Sequence, residues 1–291
     1  MFLCLSLLLL RLLVVLPSAN ASPISRNTGE DILFQNRASV LYSPAQHNPE
    51  ESYPLLLVLH GYIHQTHLDY FSLYLGINTY VQDMDHYLLE VYGTENPEKR
   101  VFWNAQDACC DFHDQNPNDV EYLSSLIQTL ITERNIDSER IIVIGHSNGG
   151  FMAHRLACAW GDNLHSIINI SGAAVMDFSE CQLQKPPNVL NIHGTWDQII
   201  AFNGGDLKGQ EYPSALYSTE QWARLSGCTH HNQDRLSSFQ VHLWNNIRTE
   251  EYSGCEKGNR VTLWAVQRHG HLPSFSLHHV LSRSLAWAAL E

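Results

Sequence analysis

The 291-residue sequence predicts an α/β fold, a mostly parallel, doubly wound sheet with helices on both faces, on two observations. Short runs that are apolar along their whole length recur through the chain, each ending in glycine or a polar turn. Between them lie stretches whose apolar residues repeat at helical spacing. A strand with one wet face alternates apolar and polar residues, whereas a strand covered on both faces does not. Such strands alternating with helices build a parallel sheet between two helical layers.

The N-terminal residues stand apart from this pattern. "MFLCLSLLLLRLLVVLPSANA" carries no acid, is broken by Arg11 and Pro17, and ends in Ala19-Asn20-Ala21, a small-x-small cleavage signal. That composition predicts a secretory signal peptide over 1–21, too short and interrupted for a stable membrane anchor, and hence an extracellular protein. A loose leader is expected over 22–30, and a single domain over 31–291.

The strand runs are Tyr53–Gly61, His86–Gly93, Arg140–Ser147, Ser166–Gly172, Asn188–Gly194 and Arg260–Val266. Helices are expected over Asp119–Arg134, Asn148–Trp160, Pro213–Leu225 and Ser276–Leu290. The first follows Pro117 and Asn118 and sets Val120, Leu123, Ile127, Leu130 and Ile131 on one stripe. The polar segment Ser226–Asn259, bracketed by cysteines, reads as an excursion from the sheet.

The formal charge is −13, with no basic patch, so neither nucleic acid nor an anionic membrane is an expected partner. Of the seven cysteines, Cys4 leaves with the signal. An even remainder in an exported chain favours disulfides over metal thiolates. Cys228 and Cys255 bracket one segment and are expected to pair. The other four, Cys109, Cys110, Cys158 and Cys181, are expected to pair among themselves near the start of the helix that holds Cys158.

The chemistry-bearing stretch is "RIIVIGHSNGGFMAHRLAC" (Arg140–Cys158), where a β-branched run meets Gly145-His146-Ser147-Asn148-Gly149 and a helix follows at once. A serine hydroxyl is a weak nucleophile and needs exposure and a base. A sharp strand-to-helix turn lifts it above the sheet, glycines relieve the crowding, and the helix N-terminus aims N–H groups at the reaction centre. The competing reading is a serine that merely caps a helix. The α/β-hydrolase order Ser, Asp/Glu, His then requires an acid and a histidine, each just past a later strand. Asp197 follows "NVLNIHG", and His271 follows "RVTLWAV" and Gln267-Arg268-His269-Gly270. Asp177 and His269 are the alternatives that spacing leaves open. The oxyanion donors should be the N–H of Asn148 and that of Tyr62 after "LLLVLHG", with Ile63 as the alternative; His60 is expected to order that loop through its ring nitrogens. Trp103, Trp196 and Phe202 are candidate aromatic contacts for substrate, core packing being the competing role for Trp103.

Other chemistries lack their signatures. The pairs His64/His67, His230/His231 and His278/His279 form no His-Glu-x-x-His or cysteine–histidine finger, and no P-loop or Gly-x-Gly-x-x-Gly occurs, so no metal and no cofactor are expected. Asn169-Ile170-Ser171 is formally a glycosylation acceptor but lies in a predicted buried strand.

With these residues placed, the chain resembles a known family. "LHGY", "FWNAQDACCDF", "NDVEYLSSLI", "GHSNGGFMAHRLAC", "IHGTWD", "FNGG" and "HGHLPSF" follow the order seen in secreted esterases of the polyhydroxybutyrate depolymerase and feruloyl esterase group, carbohydrate esterase family one, with the α/β-hydrolase fold. The resemblance runs over about Asp31 to Leu290. It implies Ser147, Asp197 and His271 as the triad and Tyr62 and Asn148 as the oxyanion donors. The segment His269-Gly270-His271-Leu272-Pro273 matches the family's Gly-x-Gly-His-x-x-Pro apart from His269, which favours His271 over His269. Trp196 departs from the small or acidic residue usual at its place. The implied activity is carboxylic ester hydrolysis on a small-molecule or oligomeric ester of polysaccharide or polyester origin, feruloyl, acetyl or hydroxyalkanoate. A serine peptidase of the same fold and a catalytically inactive binding protein on the hydrolase scaffold are the rivals.

Overall fold

A computed structural model describes residues 29–67, 76, 80, 82, 84–236, 247–272 and 284–288. The expected signal peptide, most of the leader, and all of the expected helix Ser276–Leu290 except residues 284–288 lie outside the described residues. Within them the strands are β1 (Glu30–Phe34), β2 (Arg37–Tyr42), β3 (Tyr53–Leu59), β4 (Ile63–His64), β5 (Tyr87–Val91), β6 (Thr94–Glu95), β7 (Arg100–Phe102) and β8 (Ile136–His146). They continue with β9 (Ser166–Ile170), β10 (Asn188–Gly194), β11 (Gly205–Leu207), β12 (Gln210–Tyr212), β13 (Cys228–Leu236), β14 (Ile247–Cys255) and β15 (Val261–Val266). The long helices are α1 (Asp119–Glu133), α2 (Asn148–Trp160) and α3 (Ala215–Leu225).

One sheet runs β1-β2-β5-β3-β8-β9-β10-β15-β14-β13. The central strands β5, β3, β8, β9, β10 and β15 are mutually parallel, and they are the six apolar runs of the sequence. Successive side chains explain why no alternation shows. Leu55, Leu57 and Leu59 of β3 pack on one face with Leu123 and Ile127 of α1 and Phe151 and Leu156 of α2. Leu56 and Val58 turn to the other face with Ile142, Ile144, Ile168 and Leu190, where Leu285 and Ala288 of the helical residues 284–288 cover them. Both faces are dry, so both parities of each strand are apolar.

The segment Ser226–Asn259 is a correction to the sequence expectation. Its two described strands belong to the sheet: β13 and β14 pair antiparallel with each other, and β14 adds to the edge of β15. Edge strands tolerate polar residues on their wetter face, and "CTHHNQDRL" carries no apolar run to betray a strand. β1 and β2 extend the opposite edge, antiparallel to each other and to β5.

Cys228 and Cys255 are bonded and sit directly opposite each other in the hairpin, as expected. The other four cysteines do not gather at the start of α2. Cys158, in its last turns, bonds Cys181 after a short 3-10 turn, and the neighbours Cys109 and Cys110 bond each other.

Candidate active site

The loops after β3, β8, β10 and β15 meet at the C-terminal edge of the parallel sheet. Ser147 closes β8 and precedes α2 with φ 54° and ψ −121°, a conformation L-residues rarely adopt. Its N–H donates to the Ile170 carbonyl at 2.8 Å, which holds the turn against β9. The glycines permit this close packing: a Cβ on Gly145 would strike the Gly149 carbonyl, and one on Gly149 would strike the carbonyl of Leu59. The Ser147 hydroxyl makes no capping bond to α2, so the helix-cap reading does not account for it.

Asp197 is buried, and all its acceptor positions are engaged. Oδ1 accepts the N–H groups of Ile199 and Ile200, both at 2.9 Å, and Oδ2 accepts His271 Nδ1 at 2.8 Å. His193 Nε2 lies 3.3 Å from the same Oδ2. Burial alone would favour the neutral acid, but hydrogen bonds from His193 and His271, the nearness of His271 and the Ile199 N–H outweigh it and hold the carboxyl well below the usual carboxylate range. A carboxylate can only accept, so Nδ1 of His271 carries the proton. That leaves Nε2 for the cavity that His271 and Ser147 both line.

The alternatives fall elsewhere. Asp177 is at the surface, its Oδ1 accepting the Ser179 N–H at the start of a 3-10 turn. His269 is buried, and its carbonyl receives the Trp196 N–H.

Gly61 packs on Ser147, a Cβ there standing 3.2 Å from Ser147 Cβ, and it brings Tyr62 to the same spot. Tyr62 is fixed by its hydroxyl, which accepts Asn96 Nδ2 at 2.9 Å, and by the edge of Phe112 at 5.3 Å. Ile63 is paired with Val101 in a small sheet, β4-β7-β6. Asn148 begins α2, where the first N–H groups have no acceptor within the helix. Its side chain is occupied: Oδ1 accepts the Trp103 N–H at 2.8 Å and Nδ2 donates to the Trp103 carbonyl at 2.9 Å. His60 does order the β3 loop. Nδ1 donates to the Gly61 carbonyl and Nε2 accepts the Gly93 N–H, with burial lowering the imidazole to about 4.

The cavity encloses about 560 Å³ and is walled by Tyr62, Ile63, Phe112, Ile199, Ile200 and Leu207, with the Cys109–Cys110 disulfide and Leu272 completing it. None of the three expected aromatic contacts lines it. Trp103 is fully buried, its indole N–H donating to the His60 carbonyl, so it is a core residue. Phe202 sits edge-on behind His193 at 5.7 Å. Trp196 is 63% exposed and lies outside the lining. Sequence reasoning also passed over His146. It is buried beneath His271, its Nε2 donating to the His271 carbonyl at 3.2 Å and its ring 4.9 Å away, and burial first, then His271, lowers it to about 3. Its place inside the Gly-x-Ser-x-Gly turn was the available signal. Among the described residues no group of three or more His, Cys, Asp or Glu side chains is arranged to hold a metal ion, and no helix is long and apolar enough to cross a membrane.

A parallel sheet carrying a strained serine elbow after β8, an acid after β10 and a histidine after β15 defines the α/β-hydrolase fold. Residues 103–244 match the family described as Phospholipase/Carboxylesterase. The chain is 25% identical over 187 residues to feruloyl esterase B of Piromyces equi, a match covering 62% of this chain and 32% of that protein. It is 24% identical over 267 residues to the putative esterase NocK of Nocardia uniformis subsp. tsuyamanensis, covering 88% of this chain and 75% of the relative. The chain therefore spans about a third of the length of the Piromyces relative and three quarters of the Nocardia one. Among solved structures, the acetyl xylan esterase of Aspergillus awamori superposes with a TM-score of 0.62 at 13% identity, over 91% of this chain and 100% of that one. These matches make the chain similar to esterases, on the α/β-hydrolase fold.

Proposed function

We propose that the protein is an exported serine carboxylic-ester hydrolase that works through an acyl-serine intermediate. The observation that carries the reading is the His271 Nδ1–Asp197 Oδ2 bond of 2.8 Å, made at the edge of a cavity that Ser147 also lines. In this reading His271 Nε2 takes the Ser147 proton as Oγ bonds to the ester carbonyl carbon. Asp197 stabilises the imidazolium, and the N–H groups of Tyr62 and Asn148 receive the oxyanion. Collapse breaks the carbon–alkoxy bond, His271 delivers its proton to the departing alcohol, and water then repeats the sequence to free the acid.

The acyl group is the part that enters the cavity. A space of about 560 Å³ is far larger than acetyl requires, and walls of Tyr62, Phe112, Ile63 and Leu207 favour a bulky apolar or aromatic acyl group. The names of the relatives, feruloyl esterase above all, support the same choice. The disulfides and the leader-like N-terminus support export. Rates on methyl ferulate, methyl acetate, p-nitrophenyl butyrate, hydroxybutyrate oligomers and a p-nitroanilide test the assignment. Methyl ferulate should give a higher kcat/KM than a methyl ester of acetic acid; preference for the acetyl ester would overturn the acyl assignment, and cleavage of amides in place of esters would overturn the reaction class.

A further inference from the structure

His193 is the next-to-last residue of β10, beside Gly194 and four residues before the acid, and the mechanism above gives it no part. It is 1% exposed, and its Nε2 faces two acceptors: the Ile200 carbonyl at 2.8 Å and Asp197 Oδ2 at 3.3 Å. Neither oxygen can donate, so Nε2 must carry the proton. Nδ1 is buried with no hydrogen-bond partner, which agrees with a neutral ring in that one tautomer. The titratable groups that face it are Asp197, His271 beyond the carboxylate, and His146; Phe202 covers its edge, and its neighbour on β15 is Ala265.

Asp197 Oδ2 is thus shared by two imidazoles. His271 approaches from the cavity side, and His193 from inside the protein, anchored to the same loop through Ile200. With Ile199 and Ile200 on Oδ1, the carboxylate is held by four donors, three fixed by backbone or buried packing. We propose that His193 is a positioning residue: its Nε2–H pins the Asp197 oxygen that receives His271, and through that oxygen fixes the tautomer and direction of the catalytic imidazole. The inference rests on the ester-hydrolase reading, because it assigns His193 a part in that reaction.

Two amide substitutions separate this role from space filling. Glutamine places its side-chain nitrogen where Nε2 stands, whereas asparagine reaches only as far as Nδ1. On p-nitrophenyl butyrate, H193Q should keep kcat within about threefold of the natural protein, and H193N should lose about 10–100-fold in kcat with KM little changed. The acid limb of the kcat/KM–pH profile should move to higher pH in H193N and stay in place in H193Q, because a carboxylate relieved of one donor binds the charged imidazole more strongly. If H193N does not fold, H193M, which fills the space without a donor, takes its place in the comparison and should show the same loss. Equal kcat for the donor and non-donor variants, high or low, overturns the role of His193. A natural protein with no turnover on any ester in the panel would instead overturn the reading it rests on.

Discussion

At the scale of single residues, the proposed site has to make one serine reactive and keep one carboxylate charged. Ser147 is held in a left-handed conformation that its neighbours over-determine, through the Ile170 carbonyl behind it and the packed glycines around it. Asp197 stays ionised in a buried place because four donors surround it. If the three side chains act as a unit, Ser147→Ala should lower kcat on p-nitrophenyl butyrate by a factor on the order of a million. Asp197→Asn should lower it by about ten thousand, because the amide would favour the wrong tautomer of His271. KM should change little in either variant, and equal loss in KM and kcat would point to damaged binding instead. These residues were legible in the sequence for a physical reason: each follows an apolar run, and the end of a buried parallel strand is where a polar side chain can reach the surface. Asp177 and His269 follow strands as well. What separates them from Asp197 and His271 is loop geometry, which spacing does not contain.

At the scale of elements, the β7 loop is tied to the Ser147 turn through one side chain. Asn148 bonds both backbone groups of Trp103, and the same Trp103 carbonyl also accepts the Cys110 N–H, which carries the disulfide and Phe112 of the cavity wall. Asn148→Ala would leave the buried N–H of Trp103 without its partner, at about 1–3 kcal/mol. The melting temperature should fall by roughly 2–12 °C. An unchanged melting temperature would show that the tie is not a stabilising one. The central strands were readable because burial on both faces makes each run apolar along its length, and α1 to α3 because packing against the sheet writes a helical period into the residues. α2 runs over Asn148–Trp160 as expected, and α1 is one residue shorter than expected, with Asn118 capping its start. β13 and β14 were not readable, because an edge hairpin needs no apolar run. The cavity wall was hidden for a different reason. Ile199, Leu207 and Leu272 are ordinary apolar residues whose convergence depends on how three loops pack, and Trp103, the most conspicuous aromatic near the motif, is spent on the core.

For the whole molecule, the buried histidines set a direction for stability against pH. Burial lowers His60 to about 4 and His146 and His154 to about 3, against an ordinary value near 6.5. Between those values the unfolded chain binds protons that the folded protein does not, so stability is complete above about pH 6.5 and is lost as the pH falls towards 4 and 3. Asp197, held below its ordinary range, adds a loss of the same sign at lower pH. Thermal melts from pH 7.5 to 4.5 should show a falling midpoint, and a midpoint that stays level or rises would contradict this balance. The larger claim is that the strand-end loops converge to activate one hydroxyl. Mass spectrometry after reaction with a fluorophosphonate tests it most directly. One phosphonyl group should be found, on the peptide holding Ser147, and it should be absent from Ser147→Ala; an unlabelled natural protein, or label carried by another residue, would contradict the account.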